Sequence, residues 1–271
     1  MKTKLIAWAI IVMGEMGLIT SYAQPDAFDD FSSYANGSSV GSGTMNGGTG
    51  WSSAWHGNGQ GSQIVDNGVL GITPNAGGGF ANWRYFASPV SINTSSSTYF
   101  FRTDMGVNSP SQSFWLESDL TDNFGDHIAS LVLNNSWATS LIGSDQFSGG
   151  TIGYTPNGAM DTLIGEVQWS GSSISLSAWV YPVGTAPSNP GTPTWVQTDS
   201  NVPFAANIGG MLLQSYSMNG TASVGNVSYG ATWNDVVPAP EPGTLALCGL
   251  GALCGVPLFR RLRTKTKGIK S

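Results

Sequence analysis

DTLIGEVQWSGSSISLSAWVYP, residues 161–182, carries apolar side chains at alternate positions on both sides of Gly171. Successive side chains of an extended chain point to opposite faces, so Leu163, Gly165, Val167 and Trp169 share one face. On the returning run Ile174, Leu176, Ala178 and Val180 do the same. The stretch reads as an antiparallel hairpin with one continuous apolar face to bury. Pro182 to Pro193 then reads as a long surface loop.

Outward from this hairpin the pattern repeats. The chain has 271 residues with 37 Gly and 10 Trp, and only 10% of it is charged. Such a composition favours short strands joined by many turns. Strands are expected over residues 61–72, 80–86, 97–107, 113–120, 127–134 and 137–142, and again over 160–169, 172–181, 210–218 and 222–229. About ten strands and no long helical pattern suggest two facing sheets. No linker-like break divides residues 24–236, which read as one domain.

Charge is distributed unevenly. Lys2 and Lys4 stand at the N-terminus, and Arg260, Arg261, Arg263, Lys265, Lys267 and Lys270 at the C-terminus. Between Gln24 and Glu241 there are only Arg84 and Arg102, set against fifteen acidic residues, a formal charge of −13. A body without lysine cannot neutralise a row of phosphates, which excludes nucleic acid as a partner. Both cysteines, Cys248 and Cys254, lie in the C-terminal apolar run. The body therefore has no thiol nucleophile, thiolate metal site or disulfide framework.

The two ends read as addresses. Residues 1–23 have a basic start, an apolar core from Leu5 to Met13 and small residues before a cleavage point between Ala23 and Gln24, the order of a secretory signal peptide. Glu15 is untypical of one. At the other end, Gly243 to Phe259 is 17 uncharged, mostly apolar residues, near the lower limit for a membrane-spanning helix. Arg260, Arg261 and Arg263 follow at once and hold that end in the cytoplasm. Residues 264–271 form a basic tail. Both signals place the body on the far side of the membrane.

Pro240, Glu241 and Pro242, then the apolar run, then Arg260 and Arg261, resemble the PEP-CTERM sorting signal of Gram-negative bacteria, over residues 237–263. The resemblance implies recognition and cleavage near Pro-Glu-Pro by an exosortase, a membrane-embedded transpeptidase-like enzyme. The prolines keep that stretch extended and outside the helix, where a protease can reach it. Pro257 near the helix end and the long basic tail depart from the usual pattern. A plain anchor without processing is the alternative.

The body also resembles a known family. DDFSSYANGSSVGSGTMNGGTGWSSAWHG (29–57), the hairpin and VGNVSYGATWNDV (224–236) together resemble a concanavalin A-like, LamG-type jelly roll. In that family the last strand delivers a final tryptophan just before the anchor, the position of Trp233. The expected fold is thus an all-β jelly-roll sandwich between a signal peptide and a single C-terminal transmembrane helix.

Catalytic candidates are few. In ESDLTD (117–122), Glu117 and Asp119 would project from one face of a strand. Retaining glycosidases on jelly-roll folds use a related E-x-D-x-x-E, with carboxyls ~5 Å apart. Here Asp122 replaces the acid/base glutamate and Ser118 an apolar residue, and a strand end running into an Asp-rich turn is the better account of the motif. His56 lies in a Gly-rich loop and His127 at a strand start. There is no nucleophile elbow and no His-x-x-x-His zinc pair, and AGGGF (76–80) lacks the lysine of a phosphate loop. No cofactor is expected. Calcium is the one ion the composition would suit, through Asp26, Asp29 and Asp30 or Asp119, Asp122 and Asp126, but neither group matches a calcium-loop signature.

Trp51, Trp55, Trp83 and Tyr85 lie near Gly-rich loops, and planar rings stack on sugar faces. Such rings also fill sandwich cores. The expected protein is therefore exported through the inner membrane and held as an anchored precursor, then found at the cell surface or outside the cell. It is read as non-catalytic, with an exosortase, the membrane and exopolysaccharide as its partners. A glycan-active hydrolase or lyase is the alternative.

Overall fold

The computed structural model describes residues 26–75, 79–91, 97–108, 115–121, 127–134, 138–142, 151–152, 158–171, 173–187, 190–199, 207–215 and 220–237. Fifteen strands appear among them, in two antiparallel sheets. The strands are β1 (Ala27–Asp29), β2 (His56–Gly57), β3 (Ser62–Asp66), β4 (Val69–Thr73), β5 (Phe80–Ser91), β6 (Ser97–Asn108), β7 (Trp115–Thr121) and β8 (His127–Asn134). They continue with β9 (Ala138–Ile142), β10 (Thr151–Ile152), β11 (Asp161–Ser170), β12 (Ser173–Tyr181), β13 (Trp195–Asp199), β14 (Asn207–Ser215) and β15 (Thr221–Gly230). Sheet 1 runs β13-β12-β11-β6-β15-β4-β3, with β1 also on β15, and sheet 2 runs β10-β9-β8-β7-β14-β5-β2.

The hairpin at residues 161–182 is the β11–β12 pair. Leu163 lies opposite Val180, Gly165 opposite Ala178, Val167 opposite Leu176 and Trp169 opposite Ile174. All but the half-buried Val180 are closed to solvent on the face turned toward sheet 2. Gly165 is part of that face for a steric reason, since a β-carbon there would collide with the Phe101 ring on β6. Opposite it, sheet 2 contributes Leu120, Leu131, Leu133, Met211 and Leu213 to the same core. The Thr103 and Ser118 hydroxyls, one from each sheet, meet at 2.5 Å inside this layer.

Three details differ from the sequence expectation. The single strand expected over 61–72 is the hairpin β3–β4, because Asn67 and Gly68 both take positive φ, 51° and 74°. Those are the angles of the two-residue turn that matches strand twist. Trp233 is not on the last strand: β15 ends at Gly230, and Trp233 opens a four-residue helical turn, α1 (Trp233–Val236). The Asp235 carboxylate accepts the Thr232 N–H at 2.6 Å and starts this turn, three residues back along the chain. Finally, the second face of the hairpin is buried at Ile164 and Trp179. Ile164 and Trp179 pack with Phe100, Trp233, Val236 and Val237 in a small cluster on the outside of sheet 1. Trp233 stands edge-on to Trp179 at 5.2 Å and to Phe100 at 6.0 Å between ring centroids.

Candidate functional site

Strand β5 carries two kinds of chemistry on its two faces. Its sequence alternates Asn82, Arg84 and Phe86 inward with Trp83 and Tyr85 outward. The inward Arg84 is 1% exposed, yet it bears a charge. It is held there by Asp29, at 2.6 Å from Nη1. Its Nε donates to the Ser53 carbonyl at 2.7 Å and its Nη2 to the Gly47 carbonyl at 2.7 Å. Trp51 and Trp55 flank the guanidinium, their centroids 5.0 and 5.9 Å from Cζ. Asp29 in turn accepts from the Phe31 N–H, the Tyr34 hydroxyl and the Trp55 Nε1–H at 2.9, 2.6 and 2.9 Å. Burial pushes the Tyr34 phenol well above its usual range, and the Asp29 hydrogen bond and charge add to it. Burial lowers Arg84, against the pull of Tyr34 and Asp29. The network fastens the segment 29–55 to sheet 2, so Trp55 is a core residue and the half-buried Trp51 packs against the core.

The outward pair behaves differently. Trp83 and Tyr85 are half-buried and stand two residues apart on one face. His56, on the edge strand β2, pairs with Trp83 and stacks on it at 5.8 Å, with planes 16° apart. Beside Tyr85, in register on β14, stands Gly210. A β-carbon there would press into the Arg84 carbonyl and the Tyr85 backbone, so the residue neighbouring Tyr85 has no side chain. The result is a group of three rings, His56, Trp83 and Tyr85, on the outer face of sheet 2 at one of its edges.

Along the same face, Leu212 is in register with Trp83 on one side and Asp119 on the other. Asp119 thus lies two strands, ~10 Å, from the tryptophan backbone. Its side chain is 0% exposed. Oδ2 accepts the Gln214 amide at 3.1 Å and faces the His127 Nδ1 at 3.3 Å, while Oδ1 has no hydrogen-bond partner among the described residues. This Asp119–His127–Gln214 group joins three strands, β7, β8 and β14, and no linear motif announced it. Only the alternation of 117 and 119 pointed to the face.

The other candidates separate clearly. Asp29 and Asp30 do not form a calcium site with Asp26: Asp29 is saturated by the donors above, and Asp30 accepts from Ser32. Among the described residues no group of three or more His, Cys, Asp or Glu is placed to hold a metal ion. Asp26 lines a cavity of about 410 Å³ with Gly50, Tyr229 and residues 86–90. Burial and then the Asp235 charge push its carboxyl upward. The Glu117 side chain, Asp122, Asp126, the Ala23–Gln24 cleavage point, Pro240, Glu241, Pro242, the apolar run 243–259, and Arg260, Arg261 and Arg263 lie outside the described residues. Among the described residues no helix is long and apolar enough to cross a membrane.

No protein-family model matches the sequence, and no curated protein matches it. Among solved structures the chain is similar to the CBM2 module of an evolved Dit from Lactobacillus casei BL23 phage J-1, at 12% identity and a TM-score of 0.44, over 76% of this chain and 94% of that one. It is similar to a β-1,3-glucanase from Mycobacterium marinum, at 11% identity and a TM-score of 0.44, over 74% and 97% of the two chains. It is also similar to the exoplasmic/lumenal domain of VIP36 in a Ca2+/mannose-bound form, at 12% identity and a TM-score of 0.43, over 72% and 90%.

Proposed function

We propose that this is an exported, non-catalytic β-sandwich of the concanavalin A-like jelly-roll type that holds glycan on the ring patch of sheet 2. The observation that carries the reading is the split on β5. Four aromatics of similar sequence context divide into two that clamp a buried guanidinium and two that face outward beside a stacked histidine. Planar apolar faces with polar rims suit the C–H faces of sugar rings, and a contact as strong as an aromatic pair would contribute about 0.5–1.5 kcal/mol. The non-catalytic half of the reading is supported by Asp119, which is closed to solvent and hydrogen-bonded to its neighbours rather than set in an open groove.

The test is affinity electrophoresis of the full chain through gels containing polysaccharide. The double variant Trp83→Ala/Tyr85→Ala should lose roughly tenfold or more in retardation, the sum of two such contacts. Wild-type retardation in the variant would refute the site. Release of reducing ends from the bound polymer, abolished by Glu117→Gln, would replace this reading with a glycan-active hydrolase or lyase.

The sorting reading is proposed from sequence order alone: Lys2 and Lys4 with the apolar core at one end, and Pro240-Glu241-Pro242, an apolar run and Arg260, Arg261 and Arg263 at the other. The expected course is export, removal of residues 1–23, transient anchoring, and cleavage near Glu241 by an exosortase. Mass spectrometry of the protein recovered from its native host should find a C-terminus close to Pro240–Pro242. A mature chain ending at Ser271 would refute processing.

A further inference from the structure

The ring patch sits on a body whose positive charge is already committed. Between Gln24 and Glu241 the sequence holds two arginines, no lysine and fifteen acidic residues. Both arginines are ion-paired internally. Arg84 is 1% exposed and bound to Asp29. Arg102 donates from Nε and Nη2 to both oxygens of Asp104, at 2.8 and 2.7 Å, and from Nη1 to the Val236 carbonyl at 3.3 Å. Arg102 also lies on sheet 1, in register with Ser228 and Ile164, and so not on the ring-bearing sheet.

From this we infer that the ring patch selects neutral glycans and rejects acidic ones such as uronate- or sulfate-bearing polymers. The inference rests on the glycan-binding reading above and sharpens it to a substrate class. Recognition of a carboxylate or sulfate draws on charge-assisted donors, above all the fork of an arginine. Here the body's guanidiniums are turned inward or held by Asp104, while its net charge of −13 repels a polyanion. That repulsion reaches ~30 Å at 0.01 M salt and ~8 Å at 0.15 M, so it weakens as salt rises. Binding of a neutral polymer by ring stacking has no such term. The basic side chain on the patch is the imidazole of His56.

The discriminating experiment runs the full chain and Trp83→Ala/Tyr85→Ala through gels containing a neutral polymer (laminarin or dextran) or an acidic one (alginate or polygalacturonate). It is done at pH 8 with EDTA, at 10 and 500 mM NaCl. Only the retardation removed by the double variant is counted, because the eight basic residues of the two termini bind acidic polymers without the rings. The expected result is ring-dependent retardation by a neutral polymer, changing less than about twofold between the two salt concentrations, and none by the acidic polymers at 10 mM. Ring-dependent retardation by an acidic polymer that is stronger at 10 mM than at 500 mM overturns the inference and leaves the site standing. Retardation by both classes that the double variant does not change removes the ring site itself, and the inference with it.

Discussion

Asp29 and Asp119 are both carboxylates with 0% exposure, one on each sheet, and their surroundings are opposite. Asp29 accepts four hydrogen bonds, one of them from a buried guanidinium. Asp119 accepts an amide and faces a histidine on one oxygen, and its other oxygen has no partner among the described residues. Burial alone therefore does not say what a charged group is for. A saturated carboxylate marks a place where the fold is fastened, and an under-satisfied one is a place where stability has been given up.

The difference is open to measurement, beginning with its largest expected effect. Asp29→Ala leaves Arg84 buried without its counter-ion and should cost about 3–5 kcal/mol in urea unfolding. Replacing both partners, as Asp29→Leu/Arg84→Met, should be less destabilising than the single change, since two uncharged groups leave no orphaned charge. A double variant as unstable as the single one would show that the ion pair itself is not the fastening.

A smaller effect is expected from Tyr34, with a definite sign. Its phenol is raised in the folded chain, so above pH ~10, the ordinary phenol value, the unfolded chain releases a proton that the folded chain keeps. Stability from this group is complete below that pH and falls as pH rises toward the folded value. Burial raises Tyr229 in the same direction, so the wild type should lose stability steeply in alkali. Tyr34→Phe should be less stable at pH 7 by about 1–3 kcal/mol and show a shallower alkaline loss. An unchanged alkaline slope would deny Tyr34 its part.

The smallest effect should come from Asp119→Asn. It removes a buried carboxylate oxygen that has no partner among the described residues, so unfolding free energy should move by no more than ~1 kcal/mol in either direction. A loss as large as that of Asp29→Ala would collapse the distinction between the two carboxylates.

Much of the architecture was legible in local pattern. The 161–182 hairpin formed with the expected pairing because period-two alternation fixes both face and register once one face is buried. The β3–β4 turn was missed although Asp66-Asn67-Gly68 carries a hairpin signal, since apolar residues run on from both sides of it. The short β1, β2, β10 and β13 were also missed. Strands of two to five residues are made by their neighbours rather than by their own pattern.

The site was less legible, for a related reason. Trp51, Trp55, Trp83 and Tyr85 share one local environment in sequence, and nothing within it says which rings turn inward. That was decided by Arg84, whose side chain had to reach Asp29, 55 residues away, and so committed its alternation partners Trp83 and Tyr85 to the outer face. His127 and Gln214 likewise met Asp119 only because β8 and β14 pair with β7 on either side.

By itself the sequence determined the all-β class, the hairpin's faces, the absence of thiols from the body and its excess of negative charge, because each follows from composition or from period-two spacing. Tertiary structure alone decided which aromatics are core, which carboxylate is saturated, and that both arginines are paired. Those properties belong to contacts between residues far apart in the chain, and no local pattern encodes them.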